Sequence, residues 1–266
     1  MSGGRGRPDE PGDPSRRAFL AALAALATSA ACGSTRPSAK PPSTPAGSST
    51  PPQPTHPPAS ARPITGPARE VDSGSRSRPV VALTFHGQGD PALAADLLSE
   101  DERVGARLTV FAVGSWLAAQ PDMAHRIRTG GHELANHTQN HRPMAAMAES
   151  EAYQEFTGCA QVLRRLAGST GNWVRPSGTP HTTSALRAAA GRAGYRVCVG
   201  YDVDSLDYTD PTADVVRQRV RAARPGSIVS MHLGHRVTVS ALPSILTDLN
   251  DRGLRSVTVT ELLGRP

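Results

Sequence analysis

The chain has 266 residues, a formal net charge of +6 and a pI of about 9.9. Aromatic residues make up only 4 % of it, and the basic residues form no long run, so the composition argues against a nucleic-acid-binding surface. The positive charge suits an acidic cell wall or membrane surface equally well.

Residues 1–32 are predicted to be an export signal. Ser15–Leu20 resembles the twin-arginine export motif, and an apolar stretch from Ala18 to Ala27 follows it. Small residues then lead to Cys32, which resembles a lipoprotein processing site, although ordinary cleavage near Ala31 is the alternative. We therefore expect an exported protein, extracellular or attached to the cell envelope, that meets the membrane only through its signal or a lipid on Cys32.

Residues 33–78 are predicted to be a disordered linker rich in proline, serine and threonine. Eleven of the 24 prolines lie between Gly33 and Glu70, and no aromatic residue occurs between Phe19 and Phe85. Such a segment buries too little apolar surface to fold. We expect it to tether a folded domain formed by residues 79–266.

From Pro79 onward, short β-type runs alternate with helical patterns. The predicted strands are Val80–Phe85, Leu108–Val113, Glu133–His137, Asn172–Arg175, Tyr195–Gly200, Ser227–His232 and Ser256–Val259. Helices are predicted from about Pro91, over Trp116–Arg128, over Glu149–Leu166, from Thr183, over Pro211–Ala223 and from Ala241. This alternation predicts an α/β fold: a distorted or incomplete (β/α) barrel with mainly parallel strands.

Only two cysteines, Cys159 and Cys198, lie in the predicted folded domain. A disulfide between them could form only after export, because the cytoplasm keeps thiols reduced. Two buried free thiols are the interpretation we favour.

Polar side chains capable of chemistry follow several of the predicted strands. They are His86, Asp90, His137, His141, Arg175, Asp204, Asp207 and His232. In a β/α barrel the carboxyl ends of the strands meet at one mouth, where catalysis takes place. Residues spread over about 150 positions are thus predicted to form one site.

The sharpest pattern is Asn136-His137-Thr138-Gln139-Asn140-His141. Two histidines four positions apart can reach one metal ion, although a chance or surface pair is the plain alternative. His232 ends an apolar strand and is a candidate proton donor, or else a buried structural histidine. One of the carboxylates among residues 202–207 could orient its ring.

These motifs together resemble the polysaccharide deacetylase family with the NodB-homology domain. The motifs are Thr84-Phe85, the N-H-T-x-x-H run, Arg175-Pro176, D-x-x-D followed by an aromatic residue, and a late strand ending in His232. The resemblance covers about Pro79 to Leu263. It implies a distorted (β/α) barrel and metal-dependent removal of acetyl groups from N-acetylated sugars, typically with zinc.

The resemblance also implies a role for each matching residue. His137 and His141 match the two metal-binding histidines, and His232 matches the histidine that usually acts as general acid. Arg175 matches the arginine of the third motif, and Asp207 with Tyr208 matches the aspartate–tryptophan pair of the fourth. Ser177, Tyr208 and His235 are predicted to contact substrate.

The first motif departs from the family pattern. Where the family has Thr-Phe-Asp-Asp-Gly, this chain has Thr84-Phe85-His86-Gly87-Gln88-Gly89-Asp90. His86 takes the position of the catalytic base, and Gly87 takes the position of the third metal ligand. We expect His86 to act as the base and Asp90 to supply the missing carboxylate from a longer loop.

The sequence therefore predicts a monomeric, zinc-dependent deacetylase that acts on N-acetylated cell-surface polysaccharide, with peptidoglycan and chitooligosaccharide as the favoured substrates. Two alternatives remain open at this point. One is a weakened or inactive relative that only binds glycan, and the other is a metal-dependent esterase of O-acetylated polysaccharide.

Overall fold

A computed structural model describes residues 66–266. The predicted signal, Cys32 and most of the predicted linker lie outside the described residues. Within the described part, none of the helices is long and apolar enough to span a bilayer.

Eight strands and eight helices occur along this part of the chain. The strands are β1 (Arg69–Val71), β2 (Val80–Gly87), β3 (Thr109–Ala112), β4 (Glu133–Asn136), β5 (Val197–Val199), β6 (Val203–Asp204), β7 (Ile228–His232) and β8 (Arg255–Ser256). The helices are α1 (Pro91–Arg103), α2 (Gly114–Ala119), α3 (Pro121–Thr129), α4 (Glu149–Ala167), α5 (Ser184–Arg192), α6 (Ala213–Val220), α7 (Arg236–Asp251) and α8 (Val259–Leu263). A single 3-10 turn, Asp207–Thr209, follows β6.

The strands form an incomplete barrel in which every strand pairing is parallel. One sheet has the order β4-β3-β2-β7-β6, with β8 also paired to β2, and a second sheet pairs β1 with β5. Val174 forms single parallel bridges to Asn136 on one side and to Cys198 on the other. This residue therefore links β4 to β5. The predicted α/β class and the mainly parallel, distorted barrel are confirmed.

Alternation along β2 decides which residues reach the interior of the barrel. Val81, Leu83 and Phe85 pack into the core that is covered by helices such as α1 and α7. Val80 and Ala82 belong to the other core, inside the barrel. Since side chains alternate between the two faces of a strand, His86 falls on the interior face and Gly87 on the helix face.

The strand register brings the interior residues of neighbouring strands side by side. His86 on β2 is level with Phe111 on β3 and with His232 on β7. Both neighbours are buried, and Phe111 lies inside the barrel with Trp173. Parallel β2, β3 and β7 thus deliver their last residues to the same end of the barrel.

Several predicted boundaries need correction. Residues 69–71 form β1, which pairs with β5, so the predicted linker extends too far into the fold. The strand predicted at Asn172–Arg175 reduces to the single bridging residue Val174. The helix predicted over Trp116–Arg128 is two helices, because Pro121 has no N–H to donate and begins α3.

Two further elements differ from the sequence prediction. Helix α7 begins at Arg236, five residues before the predicted start, and accommodates Pro243 inside it. The final strand is only Arg255–Ser256, and Thr258 caps helix α8 with a reciprocal hydrogen-bond pair to Glu261. Cys159 and Cys198 are buried free thiols, as the sequence analysis favoured.

Candidate active site

A cleft lies at the carboxyl ends of the strands and encloses about 310 Å³, within the range of small-ligand sites. Three histidines line it: His86 and His232 at the ends of β2 and β7, and His141 in the loop that follows β4. The residues lining the cleft are His86, His141, Arg175, Pro176, Gly178, Thr179, Pro180, Tyr201, Asp204, Tyr208, Ser230 and His232.

Asp207 holds the His232 ring in one orientation. The Asp207 carboxylate is fully buried; its Oδ1 accepts a hydrogen bond from His232 Nδ1 at 2.7 Å, and its Oδ2 accepts one from the His232 backbone N–H at 2.8 Å. Thr238 Oγ1 donates a third hydrogen bond to Oδ2 at 2.6 Å. Burial raises the pKa of Asp207, but the hydrogen bonds from His232 and Thr238 outweigh burial and leave the pKa below its ordinary value.

His232 continues this hydrogen-bond chain to His86. His86 Nδ1 lies 2.8 Å from His232 Nε2, and His86 Nε2 lies 3.3 Å from Arg175 Nη1. A guanidinium can only donate, so His86 Nε2 accepts and His86 Nδ1–H donates to His232 Nε2. The network therefore assigns one tautomer to each ring, with every N–H directed from Arg175 toward Asp207.

His137 offers an unused nitrogen beside this chain. Its Nδ1 donates to the Arg175 carbonyl at 2.8 Å, whereas its Nε2 is buried without a hydrogen-bond partner. The His137 ring stacks on His86 with centroids 4.2 Å apart and lies 5.0 Å from the His141 ring. Burial is the main cause that lowers the pKa of all three imidazoles, and nearby histidines add to it; for His141 that neighbour is His232. All three rings are therefore neutral at pH 7.

Neutral imidazoles fit a divalent cation, since metal binding needs a free ring lone pair. His137 Nε2 meets that requirement, because a buried acceptor without a hydrogen bond is otherwise costly. His141 lies on the cleft wall beside it. The predicted histidine pair is thus brought together in a form that fits a metal, and the role of the pair stays a prediction.

The third ligand expected from the first motif is not at the site. Asp90 is exposed, and its carboxylate caps helix α1 by accepting the Ala92 N–H at 2.8 Å. The prediction that Asp90 completes the metal shell is therefore wrong. Asp-Pro at a helix start is an N-cap signal, and the Asp90 carboxylate is used to cap α1.

Position 87 cannot supply that carboxylate either without a backbone shift. A Cβ on Gly87 would lie 2.7 Å from Val110 Cγ1 and 3.0 Å from Ala112 Cα. The clash follows from the strand alternation that turns position 87 toward the helix face. In residues 66–266, three potential ligand groups converge within 4.8 Å elsewhere, at Glu70, Asp72 and His181.

Glu70, one of these three residues, stabilises the fold. Glu70 accepts hydrogen bonds from the backbone N–H and the hydroxyl of Thr182 and lies 3.5 Å from His181. These contacts tie β1 to the loop that carries Thr179 and Pro180 into the cleft wall.

Arg175 is buried beneath the histidines. It donates to the carbonyls of Val199 and Gly200, to Thr84 Oγ1 and to His86. Burial lowers its pKa to about 9, which leaves it a cation at neutral pH. Arg175 therefore holds the rim of the barrel together while orienting His86.

Two of the three predicted substrate contacts remain open to the cleft region, and one does not. Tyr208 is 48 % exposed and stands edge-on to His232, and His235 pairs with Asp210 with its ring 5.8 Å from His232. Ser177 is fully buried and donates to the Arg142 carbonyl at 2.6 Å, so the prediction that it touches substrate is wrong.

The structure adds residues that the motifs did not reveal. Tyr201 lines the cleft, and Thr238 supports Asp207 from the first turn of α7. Glu155 holds the loop between His137 and His141 from helix α4. Tyr201 directly follows a predicted strand but belongs to none of the motifs, and the other two lie in helices, away from the strand ends.

Histidines and a buried aspartate meet at the strand ends of an incomplete parallel barrel, which is where β/α barrels place their catalytic sites. The comparison with family models agrees, since the polysaccharide deacetylase model matches residues 73–198. Together with chitooligosaccharide deacetylases that are 31 % identical to it, this match shows that the chain belongs to the polysaccharide deacetylase family, a family of hydrolases.

Curated relatives of known name support this membership. A chitooligosaccharide deacetylase of Rhizobium leguminosarum is 31 % identical over 216 residues, covering 73 % of this chain and 91 % of the relative. A peptidoglycan-N-acetylglucosamine deacetylase of Bacillus cereus is 28 % identical over 195 residues, covering 71 % of this chain and 70 % of the relative.

Solved structures share the fold. A family 4 carbohydrate esterase from Streptomyces lividans, in complex with acetate, has a TM-score of 0.65 and 28 % identity and covers 71 % of this chain and 96 % of that one. A mutant of BA3943, a CE4 family pseudoenzyme whose enzymatic activity the mutant restores, has a TM-score of 0.69 and 25 % identity. The match covers 76 % of this chain and 73 % of that one.

Proposed function

We propose that this protein is a metal-dependent deacetylase that removes acetyl groups from N-acetylated polysaccharide of the cell surface. The observation that carries the proposal is the buried, unpartnered Nε2 of His137. It lies beside His86 and His141 and close to the Asp207–His232 pair. A ready metal ligand thus adjoins a histidine oriented for proton transfer.

His137 and His141 would hold the cation, for which zinc suits the imidazole ligands. When bound, such a cation polarises a carbonyl and lowers the pKa of water toward about 7. Two protein ligands leave more of the shell open than the usual three. We therefore expect weaker metal binding than in a site with a third, carboxylate ligand.

His86 and His232 would move the protons of the hydrolysis. The oxygen of water bonds to the acetyl carbon as the carbon–nitrogen bond breaks, which gives acetate and a free amine. His86 takes the proton that water loses at Nε2 and passes its Nδ1 proton across the 2.8 Å contact to His232 Nε2. His232, protonated in this way, then gives that proton to the departing nitrogen.

His86 must first release its contact with Arg175, because the proton arrives at a ring nitrogen with a free lone pair. That contact is long, at 3.3 Å, and is the weakest one in the chain of hydrogen bonds. Asp207 keeps the other end fixed and stabilises the imidazolium form of His232.

The relatives and the leader support a cell-wall substrate. The named relatives act on peptidoglycan and on chitooligosaccharide, both of which carry N-acetylated sugars. The twin-arginine-like leader and the proline-rich segment after it would carry the domain to the envelope and hold it there, with or without a lipid on Cys32.

A second candidate is glycan binding without hydrolysis. The specific observation in its favour is that no carboxylate from the first motif reaches the histidines, while both nitrogens of His86 already have partners. In this alternative the cleft still binds glycan but does not catalyse hydrolysis.

Acetate release tests the two candidates together. The full chain is incubated with chitooligosaccharide, peptidoglycan and O-acetylated xylan, and acetate and bound glycan are both measured. Deacetylation of the N-acetylated substrates supports the proposal. Binding of glycan with no acetate from any substrate supports the second candidate, and release from xylan alone identifies an esterase.

A further inference from the structure

The loop that connects the two metal-binding histidines has a strained backbone. Thr138 and His141 both have positive φ, at 69° and 53°, although neither is glycine. A left-handed residue of this kind costs on the order of 1–3 kcal/mol and persists only where the surroundings impose it. The position of the His141 ring therefore depends on whatever holds this loop.

Helix α4 holds the loop through one buried carboxylate. Glu155 is 4 % exposed, and its Oε2 accepts the Asn140 backbone N–H at 2.8 Å while its Oε1 accepts Asn140 Nδ2 at 2.9 Å. Both hydrogen bonds go to the residue directly before His141. A bidentate contact of this kind fixes the orientation of the backbone as well as its position.

Other anchors hold the first half of the loop. The N–H groups of Gly114 and Ser115 donate to the carbonyls of Thr138 and Gln139, and Asn136 Oδ1 accepts the Thr138 N–H. Helix α4 also packs directly on this half, since a Cβ on Gly158 would lie 3.1 Å from the Gln139 side chain. Glu155 is the anchor directly before His141, and the Ser177 hydroxyl holds the residue directly after it by donating to the Arg142 carbonyl.

We propose that Glu155 is a positioning residue that sets the cation affinity of the His137–His141 pair, an inference that rests on the proposed function. Its hydrogen bonds keep His141 in the left-handed conformation that turns the ring toward His137. Its negative charge beside this loop also favours a cation at the pair. Residues that orient metal ligands in this way typically change metal affinity about 10–100-fold when they are replaced.

The test compares zinc affinity with stability in four full-length proteins. The native chain, Glu155→Gln, Asn140→Ala and the control Glu149→Gln are stripped with chelator, and the zinc Kd is measured by competition with a chromogenic chelator. The control lies on the same helix, where Glu149 forms an exposed ion pair with Arg192. Urea unfolding of each zinc-free protein is measured alongside.

We expect Glu155→Gln to weaken zinc binding about 10–100-fold. Asn140→Ala removes one of the two hydrogen bonds and should weaken binding less, and Glu149→Gln should leave the Kd unchanged. A native zinc Kd in Glu155→Gln, with or without a loss of stability, overturns the inference. Failure of the native chain to bind zinc overturns the proposed function and this inference with it, so the two failures are distinguishable.

Discussion

Replacing Asp207 with asparagine should reverse the direction of the whole hydrogen-bond chain. The amide oxygen can keep the bonds from the His232 backbone N–H and Thr238, which leaves the NH₂ group facing His232 Nδ1. His232 then has to accept at Nδ1 and carry its proton on Nε2. That proton points at His86 Nδ1, so His86 must place its own proton on Nε2, against the Arg175 N–H donor.

The expected cost is about 2–4 kcal/mol in the free energy of unfolding. One charge-assisted hydrogen bond, from His232 Nδ1 to the carboxylate, contributes about 1.5–3 kcal/mol. The donor-to-donor contact at Arg175 adds a smaller amount, because the native contact is long at 3.3 Å. Since the pKa of Asp207 is held below its ordinary value, the native chain has this advantage at neutral pH and loses it as the pH falls through the folded-state pKa.

Nitrogen-15 NMR of the histidine rings, together with urea unfolding at pH 7, measures both effects. We expect the ring proton to move from Nδ1 to Nε2 in both His86 and His232 in Asp207→Asn. The control is Asp210→Asn, which alters the more exposed His235–Asp210 pair and should cost about 0–1 kcal/mol. Unchanged tautomers in Asp207→Asn, or a stability loss no larger than that of the control, would refute the directed chain.

Two other sites allow independent checks of the packing and the electrostatics. Asp101 is fully buried, neither carboxylate oxygen has a hydrogen-bond partner, and burial with nearby acids raises its pKa well above the ordinary value. The native chain therefore loses stability as pH rises from about 4 through the folded-state pKa of Asp101. Asp101→Asn should raise the free energy of unfolding by about 1–2 kcal/mol at pH 7 and should make it less dependent on pH in urea unfolding. The exposed control Asp96→Asn should do neither. Gly87→Ala should lower the free energy of unfolding by about 1–3 kcal/mol, because the new Cβ meets Val110. Adding Val110→Ala to the same chain should recover part of this loss. Strictly additive effects of the two substitutions would contradict a direct clash between the side chains.

The sequence was informative where a local pattern carries the structure. The alternation of strand and helix patterns predicted the parallel barrel, and the strand ends at His86, His137 and His232 predicted three histidines that do meet. Asp207 was one of three carboxylates proposed to orient His232, and it does so through two hydrogen bonds. These predictions succeeded because the barrel converts strand-end position into proximity.

The predictions that failed depended on choices made by tertiary contacts. Asp90 was predicted to be a metal ligand although Asp-Pro at a helix start also signals a cap, and the structure shows that it caps α1. Ser177 follows Arg175 closely in sequence, but its hydroxyl is used by the Arg142 carbonyl. Glu155 is one acid among several in an amphipathic helix, and no spacing rule marks it as the partner of Asn140.

The split of the Trp116–Arg128 helix has a simpler cause. Pro121 was visible in the sequence, and it both ends α2 and begins α3. Strand β1 was missed because its three residues lie beside a proline-rich stretch, and the pairing with β5 that stabilises it is non-local.

The central claim is that a cation held through His137 makes this cleft a deacetylase. The most direct measurement is acetate release from chitooligosaccharide by chelator-treated full-length protein on addition of zinc, in the native chain, in His137→Ala and in the exposed control His125→Ala. We predict that zinc restores release in the native chain and in His125→Ala but not in His137→Ala. Equal release from His137→Ala, or no release from the native chain at any zinc concentration, would contradict the account.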